Sequence, residues 1–566
     1  MTFLRLERCL LPAPETVHWK EGGFKVETYS TVEKVGYYAK NLFAFAGLLA
    51  VSPLTLAYDW WTEKPVTPIA RIGKVQPLTN WLPDQRGYAM SLFQTSGLGT
   101  RWGAPEFAGR NDWDLWMTKA SHVAHPNGYN YRNFFTDVLS NPDPYIRMLK
   151  DHGVTAHRFS LEWAVIEPQP GKMDLKAAAL YAGFIDKLIA NGITPSVTLS
   201  HFVVPKWFHE QGGFKNLENV QAYVNFSLQM MQSFPQVKDW WSFNEPGVRA
   251  MQQVREVFPT EIPEGSSLSA RVYAAGLSMR NMLIAHCALH REVKRKWPEK
   301  TLGITHQWLK FDTASGNCVE RLFRYFLEKF AFRPVVGFFK EGEFSFEFPF
   351  MANIHFKIPK DVFDDNDHFL MRLGVQAYPL ARITFTCNNG RLLPTIPGGF
   401  QNSLVTCGST CEPGGVLMRF GPRQKRGAMY DILDQAWELT RRIVVSEYGS
   451  DAHVWEDGKS GFALNTTAQA NHVRQLTEEV EQYCQTTGRK LEGIFCWSDL
   501  RNMEWNEGNE CRLWTIEPKI DYTSRQLIGY EDTEASRYLA TIFKGDSADG
   551  SSQGSSGRSS TQPKSL

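Results

Sequence analysis

Two glutamates in this chain of 566 residues close apolar runs that have the pattern of buried strands. Glu245 lies in Trp241-Ser-Phe-Asn-Glu-Pro246, and Glu447 lies in Ile443-Val-Val-Ser-Glu-Tyr-Gly449. A carboxylate there is costly unless it faces a cleft or has a partner, and partial burial would raise the pKa of Glu245 until it can donate a proton. Two such carboxyls across one pocket could cleave a glycosidic bond, by direct attack at a separation of about 5 Å or through a water at a wider gap. The alternative is that both are salt-bridged rim residues.

Other polar side chains stand in equivalent places, directly after apolar runs. They are Arg158, His201, Asn244, Gln376, Tyr378 and the stretch from Trp497 to Trp505. Each of them alone also fits a structural role, as a core ion pair, a packed ring or a satisfied histidine. In α/β barrels, however, functional groups collect where the strands end, so we expect these side chains to meet the two glutamates at one face.

The elements that would position them form a regular alternation of short apolar runs and longer amphipathic stretches. The candidate strands are Tyr88–Phe93, Val154–Phe159, Thr194–Leu199, Lys238–Phe243, Leu302–Trp308, Arg372–Ala377, Arg442–Ser446 and Glu492–Trp497. Helical periodicity is clearest in Ala177–Asn191, Ser267–Trp297 and Thr466–Thr486. Eight apolar strands separated by helices predict an α/β fold, a closed (β/α)8 TIM barrel.

The motifs together resemble glycoside hydrolase family 1, the β-glucosidase family, over about residues 80–545. Trp-Ser-Phe-Asn-Glu-Pro is similar to that family's acid/base motif. Val-Ser-Glu-Tyr-Gly is similar to its nucleophile motif, whose usual form is Thr-Glu-Asn-Gly. The resemblance implies that Glu245 protonates the glycosidic oxygen, that Glu447 carries a covalent glycosyl intermediate, and that Asn244 binds the sugar 2-hydroxyl.

Further segments resemble the same family in the same order along the chain. His157-Arg-Phe-Ser-Leu-Glu-Trp163 implies that Arg158 lies beside the nucleophile and holds it ionised, and Thr198-Leu-Ser-His-Phe202 implies that His201 donates to a ring hydroxyl. In Gly374-Val-Gln-Ala-Tyr-Pro379, Tyr378 would touch the nucleophile and Gln376 replaces the usual Asn. At the eighth strand, Trp497 would stack on the sugar, while Glu504 and Trp505 would read its outer hydroxyls.

The chain also departs from the family pattern. In Phe93-Gln-Thr-Ser-Gly-Leu-Gly-Thr-Arg101, Gln94 looks out of register with the family's sugar-binding Gln, and Thr100 or Arg101 stands at the usual position. Tyr448 replaces the Asn of the nucleophile motif. These departures concern the sugar more than the reaction, and they leave galactose, fucose, mannose or a lipid-linked sugar open as the glycone.

Residues outside the barrel divide into two parts. Residues 1–78 form an N-terminal extension that contains Leu42–Tyr58, an apolar run without a charge and interrupted by Ser52-Pro53. It is at the lower length limit for a membrane span, so packing on the barrel or contact with a membrane surface is favoured over a full span. Residues 546–566 have almost no apolar side chains and are expected to be a disordered tail.

Charge and cysteine content restrict the partners and the compartment. The chain has 61 basic and 60 acidic residues, which gives no overall field for nucleic acid or an anionic membrane. Most of the nine cysteines lie in apolar runs, a pattern that favours a reducing, cytoplasmic compartment with membrane association as the alternative. Cys407 and Cys411 could form a local disulfide, and no matching pair completes a metal site, so no metal or cofactor is expected.

The expected function is that of a retaining β-glycosidase, which hydrolyses a β-glycoside by double displacement through a covalent glycosyl-enzyme. A membrane-associated retaining transglycosidase acting on a lipid-linked sugar is an alternative, because an acceptor hydroxyl can replace water. A catalytically inactive sugar-binding barrel is another, although both carboxylates are kept here. The intact Glu504-Trp505 pair disfavours a 6-phospho-β-glycosidase. The oligomeric state is left open.

Overall fold

A closed barrel of eight parallel strands forms the centre of the computed structural model. The structure describes residues 10–20, 23–44, 80–118, 134–308, 332–358, 372–378, 381–388, 391–395, 428–455, 462–505 and 511–545, with shorter pieces between them. The barrel strands, in order, are Gln85–Met90, Ala156–Ser160, Thr194–Thr198, Asp239–Trp241, Thr301–Gln307, Arg372–Ala377, Ile443–Tyr448 and Gly493–Trp497. Each pairs with the next along the chain, and the eighth pairs with the first, which confirms the predicted (β/α)8 barrel.

The strand boundaries agree with the sequence prediction to within a few residues, and the first strand differs most. It ends at Met90, whereas the prediction extended to Phe93. The reason is a short helix, Leu92–Ser96, which begins directly after the strand. The Ser91 side chain caps this helix by accepting a hydrogen bond from the backbone N–H of Gln94.

Helices cover the outside of the barrel, and their ends follow local chemistry. Asp174 caps Leu175–Ala190 by accepting from the N–H groups of Lys176 and Ala177, and Ser267 caps Leu268–Lys296. Thr466–Thr487 ends where Gly488 adopts a left-handed conformation. The remaining helices of at least four residues are Trp113–Trp116, Asp143–Asp151, Trp163–Ile166, Lys206–Glu210, Val220–Ser233, Pro246–Val254, Arg333–Glu341, Ala428–Trp437, Glu534–Lys544 and residues 31–44.

Part of the N-terminal extension joins a small sheet beside the barrel. Its strands Glu15–Lys20 and Gly23–Thr28 are antiparallel, and the first also pairs in parallel with Ala352–Lys357, which in turn pairs with Glu343–Phe348. The other described strands are Phe311–Thr313, Ala381–Asn388, Arg391–Thr395, Leu417–Met418, His453–Trp455, Phe462–Leu464, Ile516–Asp521 and Gln526–Asp532.

Helix 31–44 follows this sheet and exposes an apolar face to solvent. Val32, Leu42 and Phe43 are 82%, 69% and 81% exposed. Most of the predicted apolar segment 42–58 lies outside the described residues, as does the predicted tail 546–566. Within the described part of the chain, no helix is both long enough and apolar enough to cross a bilayer.

The cysteines agree only in part with the sequence prediction. Cys287, Cys484 and Cys496 are free and buried, as expected of small apolar side chains. Cys511, in contrast, is disulfide-bonded, whereas the pattern of cysteines in apolar runs favoured a reducing compartment. Cys407 and Cys411, considered as a local pair, lie outside the described residues.

Candidate active site

Glu447 lies on the seventh barrel strand and is held by three donors from other parts of the chain. Arg158, on the second strand, donates from Nη1 to Glu447 Oε1 at 2.5 Å. Gln376, on the sixth strand, donates to the same oxygen at 2.6 Å, and the Tyr378 hydroxyl donates to Oε2 at 3.0 Å. Since charged donors and multiple hydrogen bonds favour an ionised carboxyl, these contacts stabilise Glu447 as a carboxylate.

Asn244 shares two of these donors and is therefore fixed in one orientation. Its Oδ1 accepts from Arg158 Nη2 at 2.7 Å, from Gln376 Nε2 at 2.6 Å and from the Thr305 hydroxyl at 3.2 Å. An amide oxygen that already accepts three hydrogen bonds has little capacity left for a ligand. The amide nitrogen is thus the group of Asn244 that can donate to a bound molecule.

Glu245 follows Asn244 and has a contrasting environment. It lies at the start of helix Pro246–Val254 with φ of 43°, a left-handed conformation that is uncommon for a residue with a side chain. Its N–H donates to the carbonyl oxygen of Thr305 at 3.2 Å. Its buried Oε1 has no hydrogen-bond partner among the described residues. The carboxyl is therefore aimed by backbone contacts while one oxygen is left unpaired.

The two carboxyls differ in how strongly each retains a proton. Burial raises the pKa of Glu245 well above its ordinary value, the nearby charge of Glu447 raises it further, and Arg158 opposes both effects. Burial also raises the pKa of Glu447, but the charge and hydrogen bond of Arg158 and the bond from Tyr378 act against it. When the pair holds a single proton, that proton therefore resides on Glu245.

Aromatic rings form one wall of the site around His201. The His201 ring is stacked with Trp497, with centroids 5.5 Å apart, and with Trp505 at 6.0 Å. Burial lowers the pKa of His201 well below its ordinary value, and the positive charge of Arg158 lowers it further. His201 is therefore a neutral imidazole, which has one N–H to donate and one nitrogen to accept.

Glu504 lies next to Trp497 and accepts hydrogen bonds from several polar side chains. Its Oε2 accepts from Asn502 at 3.1 Å, from Trp497 Nε1 at 3.4 Å and from Gln94 Nε2 at 3.5 Å. Gln94 is fully buried, and its Oε1 has no hydrogen-bond partner within the described structure. Gln94 therefore lies behind Glu504, which is the residue of this pair that lines the cavity.

The position of Gln94 differs from the register inferred from sequence. Thr100 is used locally, since its hydroxyl donates to the carbonyl oxygen of Gly97, and Arg101 is paired with Asp114 at 3.1 Å. Gln94 reaches the site because helix Leu92–Ser96 turns the chain directly after the first strand. Counting residues along an extended strand could not reveal this placement.

One cavity brings most of the predicted site residues together. It is lined by His201, Asn244, Glu245, Tyr378, Glu447, Trp497, Glu504 and Trp505, and also by Phe202, Val248, Gln252, Phe258, Gln307 and Leu513. Arg158 and Gln376 do not line it; they lie buried behind Glu447 and Asn244. Gln307 was missed in the sequence, although it ends the fifth strand and the strand-end rule could have found it.

The geometry combines a carboxyl that retains its proton with a carboxylate held by a guanidinium, an amide and a phenol. Both face one cavity whose other walls include aromatic rings, the imidazole of His201 and the carboxyl of Glu504. Such a site can protonate a leaving oxygen and attack the adjacent carbon, with the aromatic faces packed on the C–H surface of a sugar ring.

Comparisons with known proteins point in the same direction. A family model described as "Glycosyl hydrolase family 1" matches residues 88–352, a range that includes Glu245 and ends before Glu447. Beta-glucosidase A from Thermotoga maritima is 24% identical over 395 residues, which cover 68% of this chain and 81% of that protein. The 6-phospho-beta-glucosidase GmuD from Bacillus subtilis is 35% identical over 164 residues, which cover 28% of this chain and only 34% of that protein.

Solved structures resemble the whole barrel. A beta-glucosidase from Exiguobacterium marinum superimposes with a TM-score of 0.62 at 20% identity, covering 83% of this chain and 99% of that one. A beta-glucosidase from Thermotoga maritima in complex with glucoimidazole gives a TM-score of 0.60 at 20% identity and the same coverage. At this identity the likeness establishes the fold.

Proposed function

Because this chain belongs to glycoside hydrolase family 1, we propose that it cleaves β-linked glycosides with retention of configuration, through a covalent glycosyl-enzyme. The observation that carries the proposal is the pairing of Glu245 and Glu447 in one cavity with opposite environments. The reaction proceeds in two displacements at the anomeric carbon, and each residue has one role in each step.

In the first displacement Glu447 attacks the anomeric carbon while Glu245 donates its proton to the departing glycosidic oxygen. The raised pKa of Glu245 supports the acid role, because the group keeps its proton to higher pH than an ordinary glutamate does. Once Glu447 is esterified, its negative charge no longer raises the pKa of Glu245. Glu245 can then act as a base and activate the water that releases the sugar.

The walls of the cavity support a neutral sugar as the group that occupies it. Trp497 supplies a flat ring, His201 and the Asn244 amide supply donors, and Glu504 supplies an acceptor. A carboxylate at Glu504 would repel a phosphate on the sugar, so a 6-phosphorylated substrate is not proposed despite the name of the Bacillus relative.

The nucleophile is tested with Glu447→Gly. This variant should lose hydrolysis of 4-nitrophenyl β-glycosides, and added azide should restore turnover with a product of inverted configuration, because the anion enters from the face that Glu447 vacates. NMR of the glycosyl azide identifies its configuration. A rescued product of retained configuration would contradict the role of Glu447.

The acid is tested with Glu245→Ala and a series of leaving groups. Activated dinitrophenyl glycosides need little protonation, so their kcat/KM should fall far less than that of alkyl glycosides. The slope of log kcat/KM against leaving-group pKa measures the difference. Equal losses for good and poor leaving groups would remove Glu245 from this role.

Transfer to an acceptor at a membrane surface is a second candidate, favoured by the exposed apolar face of helix 31–44. An acceptor hydroxyl that excludes water from the glycosyl-enzyme would give transfer in place of hydrolysis. Incubation with a lipid glycoside in phosphatidylcholine vesicles, with free sugar and transfer products both measured, separates the two. Free sugar alone, with the protein remaining unbound to vesicles, would leave hydrolysis as the function.

A further inference from the structure

Arg249 forms a buried ion pair directly behind the candidate site. It lies on helix Pro246–Val254, one turn after Glu245, and its Nη2 is 3.0 Å from Glu261 Oε1. The two side chains are 3% and 2% exposed. Burying two charges is costly, and apolar residues of similar volume often give a fold of equal stability. Stability alone therefore does not account for the Arg249–Glu261 pair.

The other terminal nitrogen of Arg249 reaches the loop that contributes to the aromatic wall. Nη1 donates to the carbonyl oxygen of Phe202. Phe202 has φ of 73°, a left-handed conformation that is unfavourable for a bulky residue unless its surroundings fix it. His201 precedes it in the chain, so the orientation of the Phe202 backbone determines where the imidazole lies between Trp497 and Trp505.

Glu261, the partner of Arg249, is fixed by several hydrogen bonds of its own. The Glu261 carboxylate accepts hydrogen bonds from the N–H of Phe214 at 3.0 Å, from the N–H of Lys215 at 2.8 Å, and from Ser278 on the long helix Leu268–Lys296. Gly213 permits this approach, because a Cβ there would come within 2.4 Å of Glu261 Oε1. Glu261 is thus a fixed anchor for the Arg249 guanidinium.

We propose that Arg249, anchored by Glu261, is a positioning residue that holds the strained Phe202 backbone and thereby places His201 against the sugar. The inference rests on the proposed function, since it assigns Arg249 a part in substrate recognition. The guanidinium serves both partners because its planar fork offers two donors in fixed directions. It also joins the loop of His201 to the helix that begins at Glu245, so both groups keep their relative positions.

The first test replaces Arg249 with Lys, whose one nitrogen cannot occupy the positions of both Nη2, beside Glu261, and Nη1, beside the Phe202 carbonyl oxygen. Arg249→Lys should lower kcat/KM for the preferred 4-nitrophenyl β-glycoside about tenfold, the loss expected when one hydrogen bond to the substrate is misplaced. Arg271→Lys is the matched control, because Arg271 also donates to a carbonyl oxygen, that of Val254, and to a carboxylate, that of Glu256. The control should change kcat/KM less than twofold.

A double-mutant cycle with His201→Ala separates positioning from general damage. If Arg249 acts through His201, Arg249→Lys should lower kcat/KM about tenfold in the parent chain and less than twofold in the chain that already carries His201→Ala. An equal loss in both backgrounds would overturn the proposal, and so would an unchanged kcat/KM in a folded Arg249→Lys protein. Thermal unfolding of each variant confirms that the fold is kept.

A further variant covers the case in which the lone Glu261 carboxylate prevents folding. Arg249→Met combined with Glu261→Gln removes both charges and should fold while showing the same loss and the same dependence on His201; full activity would overturn the proposal. Absence of turnover in the unsubstituted chain would contradict the proposed function instead. In that case the same double-mutant cycle is measured with the dissociation constant of deoxynojirimycin, followed by the fluorescence of the tryptophans beside His201. If the effects of Arg249→Lys and His201→Ala on binding are additive, the positioning role is overturned.

Discussion

Gln376 offers the sharpest test of how Glu447, the proposed nucleophile, is held. Its Nε2 lies 2.6 Å from both Glu447 Oε1 and Asn244 Oδ1. Gln376→Asn withdraws this nitrogen by about 1.5 Å, the length of one carbon–carbon bond, and leaves it about 4 Å from both acceptors. Neither hydrogen bond can then form, because 4 Å is beyond hydrogen-bonding distance.

The magnitude follows from the bond to Glu447. A hydrogen bond to a charged group contributes about 1.5–3 kcal/mol, and Arg158 and Tyr378 remain in place to hold the carboxylate. We therefore expect a loss of about 2 kcal/mol of transition-state stabilisation, or about 30-fold in kcat/KM. The removed donor favoured the ionised carboxyl, so its loss raises the pKa of Glu447.

The assay is the pH profile of kcat/KM on a 4-nitrophenyl β-glycoside. The acidic limb is expected to report ionisation of Glu447 in the free enzyme and should move to higher pH. Gln469→Asn is a matched control, because Gln469 is also fully buried and its amide donates to the carbonyl oxygens of Ser450 and Arg512. It should lower Tm without moving the limb. A limb unmoved in Gln376→Asn, with kcat/KM within twofold of the parent, would refute the reasoning.

Two further substitutions test the electrostatics of the site and its surroundings. Arg158→Lys should reduce kcat/KM at least 100-fold, because an ammonium cannot replace a guanidinium that contacts both Glu447 and Asn244; steady-state kinetics checks this, and a loss below tenfold would be inconsistent with it. Burial raises the pKa of Glu162 from 4.5 to about 8. Between these two pH values the folded chain keeps a proton that the unfolded chain has released, so the free energy of unfolding falls as the pH rises from about 4.5 to about 8. Glu162→Gln should therefore unfold at a higher temperature than the parent at pH 8 but not at pH 4, and the opposite order in thermal melts would contradict the assignment.

The sequence predicts the barrel well because each strand is a local apolar run closed by a polar residue. Glu245 and Glu447 are found by that rule without knowledge of any contact between them. Gln376 was expected to meet the two glutamates, and it does contact Glu447, but from the buried side behind it. A strand pattern identifies the face on which a side chain lies and cannot give its depth.

Other features depend on contacts that no local pattern contains. Gln94 reaches Glu504 across 410 positions, and only the turn of a five-residue helix after the first strand puts it there. Arg249 and Glu261 follow no periodicity, since their pairing depends on a loop that folds back on the helix. The disulfide at Cys511 is likewise set by tertiary contact, because hydropathy alone cannot distinguish a bonded cysteine from a free one.

The pairing of Glu15–Lys20 with Ala352–Lys357 has a practical consequence for trimming the N-terminus. A shortened chain that begins at residue 79 would lack the strand Glu15–Lys20. The backbone amides and carbonyls of Ala352–Lys357 that pair with it would then have no hydrogen-bond partners, on a strand that carries the apolar side chains of Ala352, Ile354 and Phe356. Arg280 would also lose its partner Glu15, 2.8 Å away. Bare sheet edges of this kind recruit other chains, so the shortened protein should self-associate even though its catalytic barrel is complete.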